Sequence, residues 1–314
     1  MFMMNTALDG HLTTIVCPSC GAEKFRVVRP AKYPAEISLE EFRDAFRASS
    51  DHSLLDQLVC CQSCSLVYIN PRVSEAILLG GYSDAVDPDF VAQNPERIKT
   101  FTRMTKKILE RLKIAEHSGL KILDVGCAGG AFLVAAQDCG LQPVGIEPSH
   151  WAADFGRRTY GLDIHQGILT PGRFPDSSFD MVSLWDVIEH LTEPGVVLKT
   201  IRAVLKPSGV LIVNFPDYGS WVARLMGDKW PFLLSVHLLY YTRATMTQEL
   251  RRAGFEVLNI RPHFQSLPLG YVLRRATPYM GLAGPLRSLA EAIGMGSVPL
   301  RYNLGQTLVV ARKI

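Results

Sequence analysis

Several groups of residues in this chain have types and spacings that can do chemistry. Cys17-Pro-Ser-Cys20 and Cys61-Gln-Ser-Cys64 are Cys-x-x-Cys pairs, and two such pairs can offer four thiolates to one tetrahedral zinc ion. Asp124, Gly126, Cys127, Ala128, Gly129 and Gly130 form a glycine-rich turn behind an apolar run. Glu147 follows Gly126 by 21 residues, the spacing at which a second strand ends and brings a carboxylate to a ribose diol. Asp186, Glu189 and His190 close another apolar run, and His237 comes later. An imidazole there is a natural base near neutral pH for an acceptor that must lose a proton.

These residues need strands and helices to hold them. LKILDVGCAGGAFLVAAQDCGLQPVGIEPS, residues 120–149, reads as strand, tight loop, amphipathic helix and strand. The spacing is wrong for a dinucleotide, because Gly-x-Gly-x-x-Gly is not met when Gly126 is followed by Cys127, Ala128, Gly129 and Gly130. Pro175–Ser178 is a turn before a strand around Phe179–Leu184 that ends at Trp185 and Asp186. Residues 197–217 read as helix, Pro-Ser-Gly turn and strand, 242–262 as a helix ended by Gly254 and a strand, and QTLVVARKI as a last strand.

As a set, these blocks resemble the class I S-adenosylmethionine-dependent methyltransferases, whose first motif reads Asp-x-Gly-x-Gly-x-Gly and whose second strand ends in an acid. Asp124, Gly126 and Gly130 match, and Ala128 replaces the middle glycine. An alanine serves there if its φ is negative, with Gly129 taking over some of the flexibility. The resemblance implies an α/β fold, a Rossmann-like, mostly parallel sheet of seven strands with helices on both faces. It implies that Gly126–Gly130 cradle the methionine part of S-adenosyl-L-methionine and that Glu147 accepts the ribose hydroxyls. It also places Pro148, Ile168 and Leu169 along the adenine, and Trp185 and Asp186 beside the methionine ammonium. The plainer reading of Asp186 is a helix N-cap.

Asp186, Glu189 and His190 further resemble the Glu-x-x-Glu-His group of ubiquinone-type and small-RNA O-methyltransferases, in which carboxylates and histidines hold a divalent cation. His237 could complete that set, although Val236 stands where the family has Glu. LVCCQSCSLVYINPR, residues 58–72, is similar to a leader on bacterial methyltransferases of sugar and secondary-metabolite pathways. Such a zinc module is expected to be structural, since four thiolates leave no open coordination position. The forty residues between its knuckles hold a capping box, Ser38 and Glu41, opening a helix. Cys61 is preferred to Cys60 on spacing, and Cys127 and Cys139 read as small buried residues.

The chain has 314 residues, 47% hydrophobic and 20% charged, and its net charge of +3 does not by itself suggest nucleic acid. The division expected is a zinc-ribbon-like module over 1–75, a linker and helical lead-in over 76–117, and the cofactor domain over 118–314. Tyr82, Phe90 and Arg97 in the lead-in could close over the cofactor or simply pack. Residues 263–306 are expected to form a helical insertion, apolar and basic, serving as lid, dimer contact or peripheral membrane surface. No secretory start and no bilayer-length apolar run is seen, so the cytoplasm is the expected location, with peripheral contact at the inner membrane face as the alternative if 263–306 is a membrane surface. The expected activity is methylation, at oxygen first, of a small-molecule, saccharide or lipid-linked acceptor. An RNA methyltransferase gripping through the zinc module and an idle cofactor-binding scaffold are the alternatives.

Overall fold

The computed structural model describes residues 11–34, 53–74, 78, 86–114, 116–277 and 281–314. The helix expected over 38–46, opened by Ser38 and Glu41, and Tyr82 lie outside the described residues.

Five short strands come first: β1 (Leu12–Thr13), β2 (Phe25–Arg29), β3 (Leu58–Cys61), β4 (Val67–Ile69) and β5 (Arg72–Val73). They are followed by α1 (Asn94–Arg111), β6 (Lys121–Val125), α2 (Ala131–Asp138), β7 (Gln142–Glu147), α3 (His150–Tyr160) and β8 (Ile164–Gln166). Next are β9 (Phe179–Trp185), α4 (Pro194–Val204), β10 (Leu205–Pro216), α5 (Trp221–Met226), β11 (Leu239–Tyr240), α6 (Arg243–Arg252) and β12 (Phe255–Pro262). The chain then runs through β13 (Gln265–Pro268), α7 (Leu269–Ala276), α8 (Ala283–Ala292), β14 (Pro299–Tyr302) and β15 (Gln306–Lys313).

The central sheet has seven strands in the order β12-β15-β10-β9-β6-β7-β8. All neighbours are parallel except β15, which runs antiparallel to both β10 and β12. Near-continuous apolar runs make this possible: Ile122, Leu123, Val182, Leu184, Leu211 and Val213 are fully buried, as strands covered on both faces must be. In such a sheet the carboxyl ends of the parallel strands open onto one crevice, which is where ligands bind. Asp124, Glu147 and Trp185 all stand at those ends.

A second sheet crosses the boundary expected near residue 75. Its order is β11-β4-β3-β2, so the leader's three strands are extended by Leu239–Tyr240, which pair antiparallel with Val67 and Tyr68. The segment joining α5 to β11 is held to the leader as well. Leu54 N–H donates to Leu233 O at 2.8 Å, and Ile69 N–H donates to Leu238 O at 3.0 Å.

The insertion before β15 is not purely helical. α7 and α8 pack together, but β13 and β14 close them off as an antiparallel pair running from Gln265 opposite Tyr302 to Pro268 opposite Pro299. Alternating polarity is weak in both short segments, which is why they read as loop. Among the described residues no helix is long and apolar enough to cross a membrane.

Candidate active site and cysteine cluster

The loop after β6 turns because two glycines take conformations closed to other residues. Gly126 has φ +72°, and a Cβ there would come within 2.6 Å of Val187 Cγ2. Gly130, with φ +81°, precedes α2, and its Cβ would lie 2.3 Å from Leu162 Cδ1. The backbone can therefore pass close to β7 and leave its outer side open to a ligand.

Ala128 departs from expectation. Its φ is +47°, in the left-handed region, while Gly129 is not among the positive-φ residues. The flexibility is thus needed at Ala128, and Gly129 serves instead to avoid a Cβ 2.7 Å from Val91 Cγ1. What holds Ala128 there is Glu147: Ala128 N–H donates to Glu147 Oε2 at 2.8 Å, and Ser149 N–H donates to Oε1 at 2.8 Å. A left-handed alanine costs about 1 to 2 kcal/mol, and glycine at the same place has an entropic penalty of roughly 0.5 to 1 kcal/mol. Ala128→Gly is accordingly expected to raise stability by about 0.5 kcal/mol in a urea titration, with no loss of fold.

Burial lifts the Glu147 carboxyl above its usual range, although both N–H donors oppose this. Asp124 accepts from Ser183 Oγ at 2.7 Å, and burial pushes its pKa up to about 8. Cys127 points into the core beside Gly145, so only its backbone faces the loop. Pro148 is half-buried, its carbonyl accepting from Gln166, while Leu169 is buried and Ile168 exposed. Trp185 packs against Phe101, Phe132 and His263 with centroids 4.9, 5.1 and 5.8 Å apart.

Asp186 is neither an N-cap nor a member of the histidine group. Its φ is +54°, and its Oδ1 accepts from Asn214 Nδ2 at 2.7 Å and from Gln306 Nε2 at 2.8 Å. The carboxylate is thereby tied to β10 and β15. Burial brings its pKa up to about 6 against the lowering effect of Gln306 and of the Arg97 charge. Asn214 and Gln306 are functional candidates that sequence reasoning missed. A lone amide inside the apolar run Val210–Phe215 was the available signal for Asn214, whereas Gln306 is 120 residues from Asp186 and gave none.

Arg97, Thr100, Phe101, Trp185, Asp186 and His263 line one cleft with Gln265, Ser266 and Leu267 of β13. Arg97 Nε, Thr100 Oγ1, Trp185 Nε1 and His263 Nδ1 are buried there without a protein hydrogen-bond partner. Such atoms carry a desolvation penalty unless a ligand or water satisfies them. Arg97 also lies over the Phe90 ring, 3.9 Å from its centroid.

Glu189, His190 and His237 form a separate group whose ligand atoms all lie within 4.8 Å of one another. His190 Nδ1 is 2.9 Å from Val236 O and His237 Nδ1 is 2.8 Å from Phe232 O, so each Nδ1 carries the proton and each Nε2 keeps a lone pair. Burial lowers both histidines, His190 to about 4, and keeps the rings neutral. Both Glu189 oxygens are buried without a protein partner. Burial and the Asp186 charge raise that carboxyl well above its usual range. A buried carboxyl facing two neutral imidazoles is a donor set that fits a divalent cation.

Cys17, Cys20, Cys61 and Cys64 also lie within 4.8 Å of one another, at the base of the second sheet. Cys17 and Cys64 sulfurs are 3.5 Å apart and those of Cys20 and Cys61 3.6 Å, near the roughly 3.8 Å edge of a tetrahedral zinc–thiolate site. Cys60 turns away, toward the Ser65 carbonyl. Burial alone would raise the Cys61 thiol, but backbone N–H groups of Cys64 and Ser63 outweigh it and bring it down to about 7, favouring the thiolate.

A family model described as a methyltransferase domain matches residues 96–260, more than half of the chain, including the glycine loop, Glu147 and Asp186. This chain belongs to that methyltransferase family. Ubiquinone biosynthesis O-methyltransferases are among its relatives. That of Bradyrhizobium diazoefficiens is 34% identical over 118 residues, covering 36% of this chain and 47% of the relative. That of Rhodopseudomonas palustris is 33% identical over 126 residues, covering 38% and 50%. The matched part thus spans about half the length of these curated relatives. A solved complex of a Haloferax volcanii methyltransferase activator, Trm112, with a methyltransferase shares the fold at a TM-score of 0.52 and 18% identity, over 71% of this chain and 94% of that one. This methyltransferase is of class I and uses S-adenosylmethionine.

Proposed function

We propose that this methyltransferase moves the methyl group of S-adenosylmethionine onto a hydroxyl oxygen of a small-molecule, saccharide or lipid-linked acceptor. The observation that carries the reading is the Glu189–His190–His237 group, with two Nε2 lone pairs and a carboxyl that lacks a protein partner. An alcohol or phenol must lose its proton as the methyl arrives, and a nitrogen nucleophile with its own lone pair has less need of such a group.

Gly126–Gly130 would bend under the methionine part of the cofactor, and Glu147 would accept the ribose hydroxyls with the lone pairs its two N–H contacts leave over. Asp186, fixed by Asn214 and Gln306, would face the methionine ammonium. Methyl transfer from a sulfonium is an in-line displacement, so holding both partners in register supplies much of the rate. Glu189, His190 and His237 would hold a divalent cation, which when bound lowers the pKa of an acceptor hydroxyl and positions its oxygen. Failing a cation, either neutral imidazole can take the proton itself. Val187 ties the two halves together, since its side chain abuts Gly126 at the start of the turn that carries Glu189 and His190.

We further infer that Cys17, Cys20, Cys61 and Cys64 hold a structural zinc ion, on the strength of their sulfur spacings. A nucleic-acid role for the leader has no comparable support.

The test is a screen of small-molecule, saccharide and lipid-linked hydroxylated acceptors reading S-adenosylhomocysteine, followed by Glu189→Gln and His237→Ala. Both variants are expected to lose about a hundredfold or more in turnover while keeping calorimetric affinity for S-adenosylmethionine. Normal turnover in both would remove the group from the chemistry, and methylation of amines alone would overturn the oxygen assignment.

A further inference from the structure

We propose that the outer face of α8 seats this protein on an anionic lipid bilayer. Leu282, Leu286, Leu289 and Ile293 recur at intervals of four, three and four residues, which puts them on one side of a helix. They are 72%, 46%, 57% and 59% exposed. Met295, Val298 and Leu300 prolong the exposed apolar surface beyond the helix into β14. The side of α8 that packs inward needs only Ala283 and Ala290. So many large apolar side chains left in water within one short segment mark a contact surface.

Charge decides among the occupants. Residues 263–306 contain Arg274, Arg275, Arg287 and Arg301 against the single acid Glu291, a net charge of +3. The whole chain also has +3, so everything outside this segment balances to zero. Arg287 pairs with Glu291 and Arg274 with Asp89, so the positive excess of the segment comes from Arg275 and Arg301. A second copy meeting this face through its own would set like charges against each other. Anionic headgroups would meet the arginines while acyl chains took up the leucine stripe, the way short amphipathic helices lie in a membrane interface.

The position adds a reason. β13, which opens the insertion, lines the cleft that contains Trp185 and Asp186. α7 packs on both β13 and α8, so a bilayer-bound α8 would sit one helix away from the cleft wall, suiting an acceptor dissolved in the bilayer or tethered to it. This last step rests on the acceptor reading above; the docking does not.

The test is flotation of the full-length chain with vesicles of phosphatidylcholine alone or of phosphatidylcholine with phosphatidylglycerol. The chain is expected to float with the anionic vesicles only, less as salt rises, and Leu286→Glu and Leu289→Glu are expected to cut the bound fraction about tenfold. Both sites are exposed, and unchanged calorimetric affinity for S-adenosylmethionine would show that the variants are folded. Absence of flotation with anionic vesicles, equal flotation of wild type and variants, or a dimer that Leu289→Glu dissociates would each overturn the proposal.

Discussion

Glu147→Ala is expected to weaken S-adenosylmethionine binding by more than about a hundredfold, because it removes a charged acceptor of two ribose hydroxyls, each such bond contributing roughly 1.5 to 3 kcal/mol. The loss does not stop at the ligand. Glu147 also receives the N–H groups of Ala128 and Ser149, so without it the left-handed Ala128 has nothing to hold it and the cradle loosens. Glu147→Gln should fare little better. Its amide can offer an oxygen to only one of the two N–H groups and must turn a donor toward the other. Titration calorimetry with S-adenosylmethionine and with S-adenosylhomocysteine measures both effects. Affinities within about threefold of wild type for either variant would mean that the cofactor lies elsewhere.

Removing metal from the four-cysteine cluster, by chelation or by Cys61→Ser, is expected to abolish methyl transfer and to leave cofactor affinity near its wild-type value. A structural zinc contributes about 10 to 16 kcal/mol of binding free energy to a small module, so the leader should unfold without it. The unfolding reaches the chemistry through β11. That strand pairs with β4, and the segment before it carries His237, whose Nδ1 is fixed by Phe232 O. Val236 O in turn fixes His190. The glycine loop and Glu147 belong to the parallel sheet, whose strand pairing does not run through the leader. Zinc stoichiometry, protease sensitivity of the leader, calorimetry and turnover should be followed together. A metal-free protein with normal turnover would sink the idea, as would loss of cofactor binding in step with loss of zinc.

The parts of this arrangement legible in the sequence are those fixed by local spacing. A strand that ends in Asp124, a turn with Gly126 and Gly130, and Glu147 after a second apolar run are set within one βαβ unit, so short-range rules suffice. The same holds for each Cys-x-x-Cys pair, whose two-residue gap places both sulfurs on one side of a knuckle. Ala128 was misread because nothing local announces a left-handed alanine; the conformation comes from a carboxylate beyond the next helix. The separation of Asp186 from the Glu189–His190–His237 group was not legible for a like reason. The Asp186 partners Asn214 and Gln306 arrive from strands that become neighbours only when the sheet assembles. The sharing of β11 between leader and catalytic half is likewise a pairing between residues far apart in the chain, and two residues of strand leave no periodic trace.

One consequence concerns the order of synthesis. β12 is the edge of the central sheet and touches it solely through β15, which is made later and slides in between β12 and β10. A nascent chain that has already produced β12 therefore has nowhere to dock it, and the unprotected flank of β10 stays open to aggregation or chaperone capture until β15 emerges. Because Gln306, at the head of β15, also braces Asp186, catalytic competence should come with the final step of sheet closure rather than grow gradually during translation.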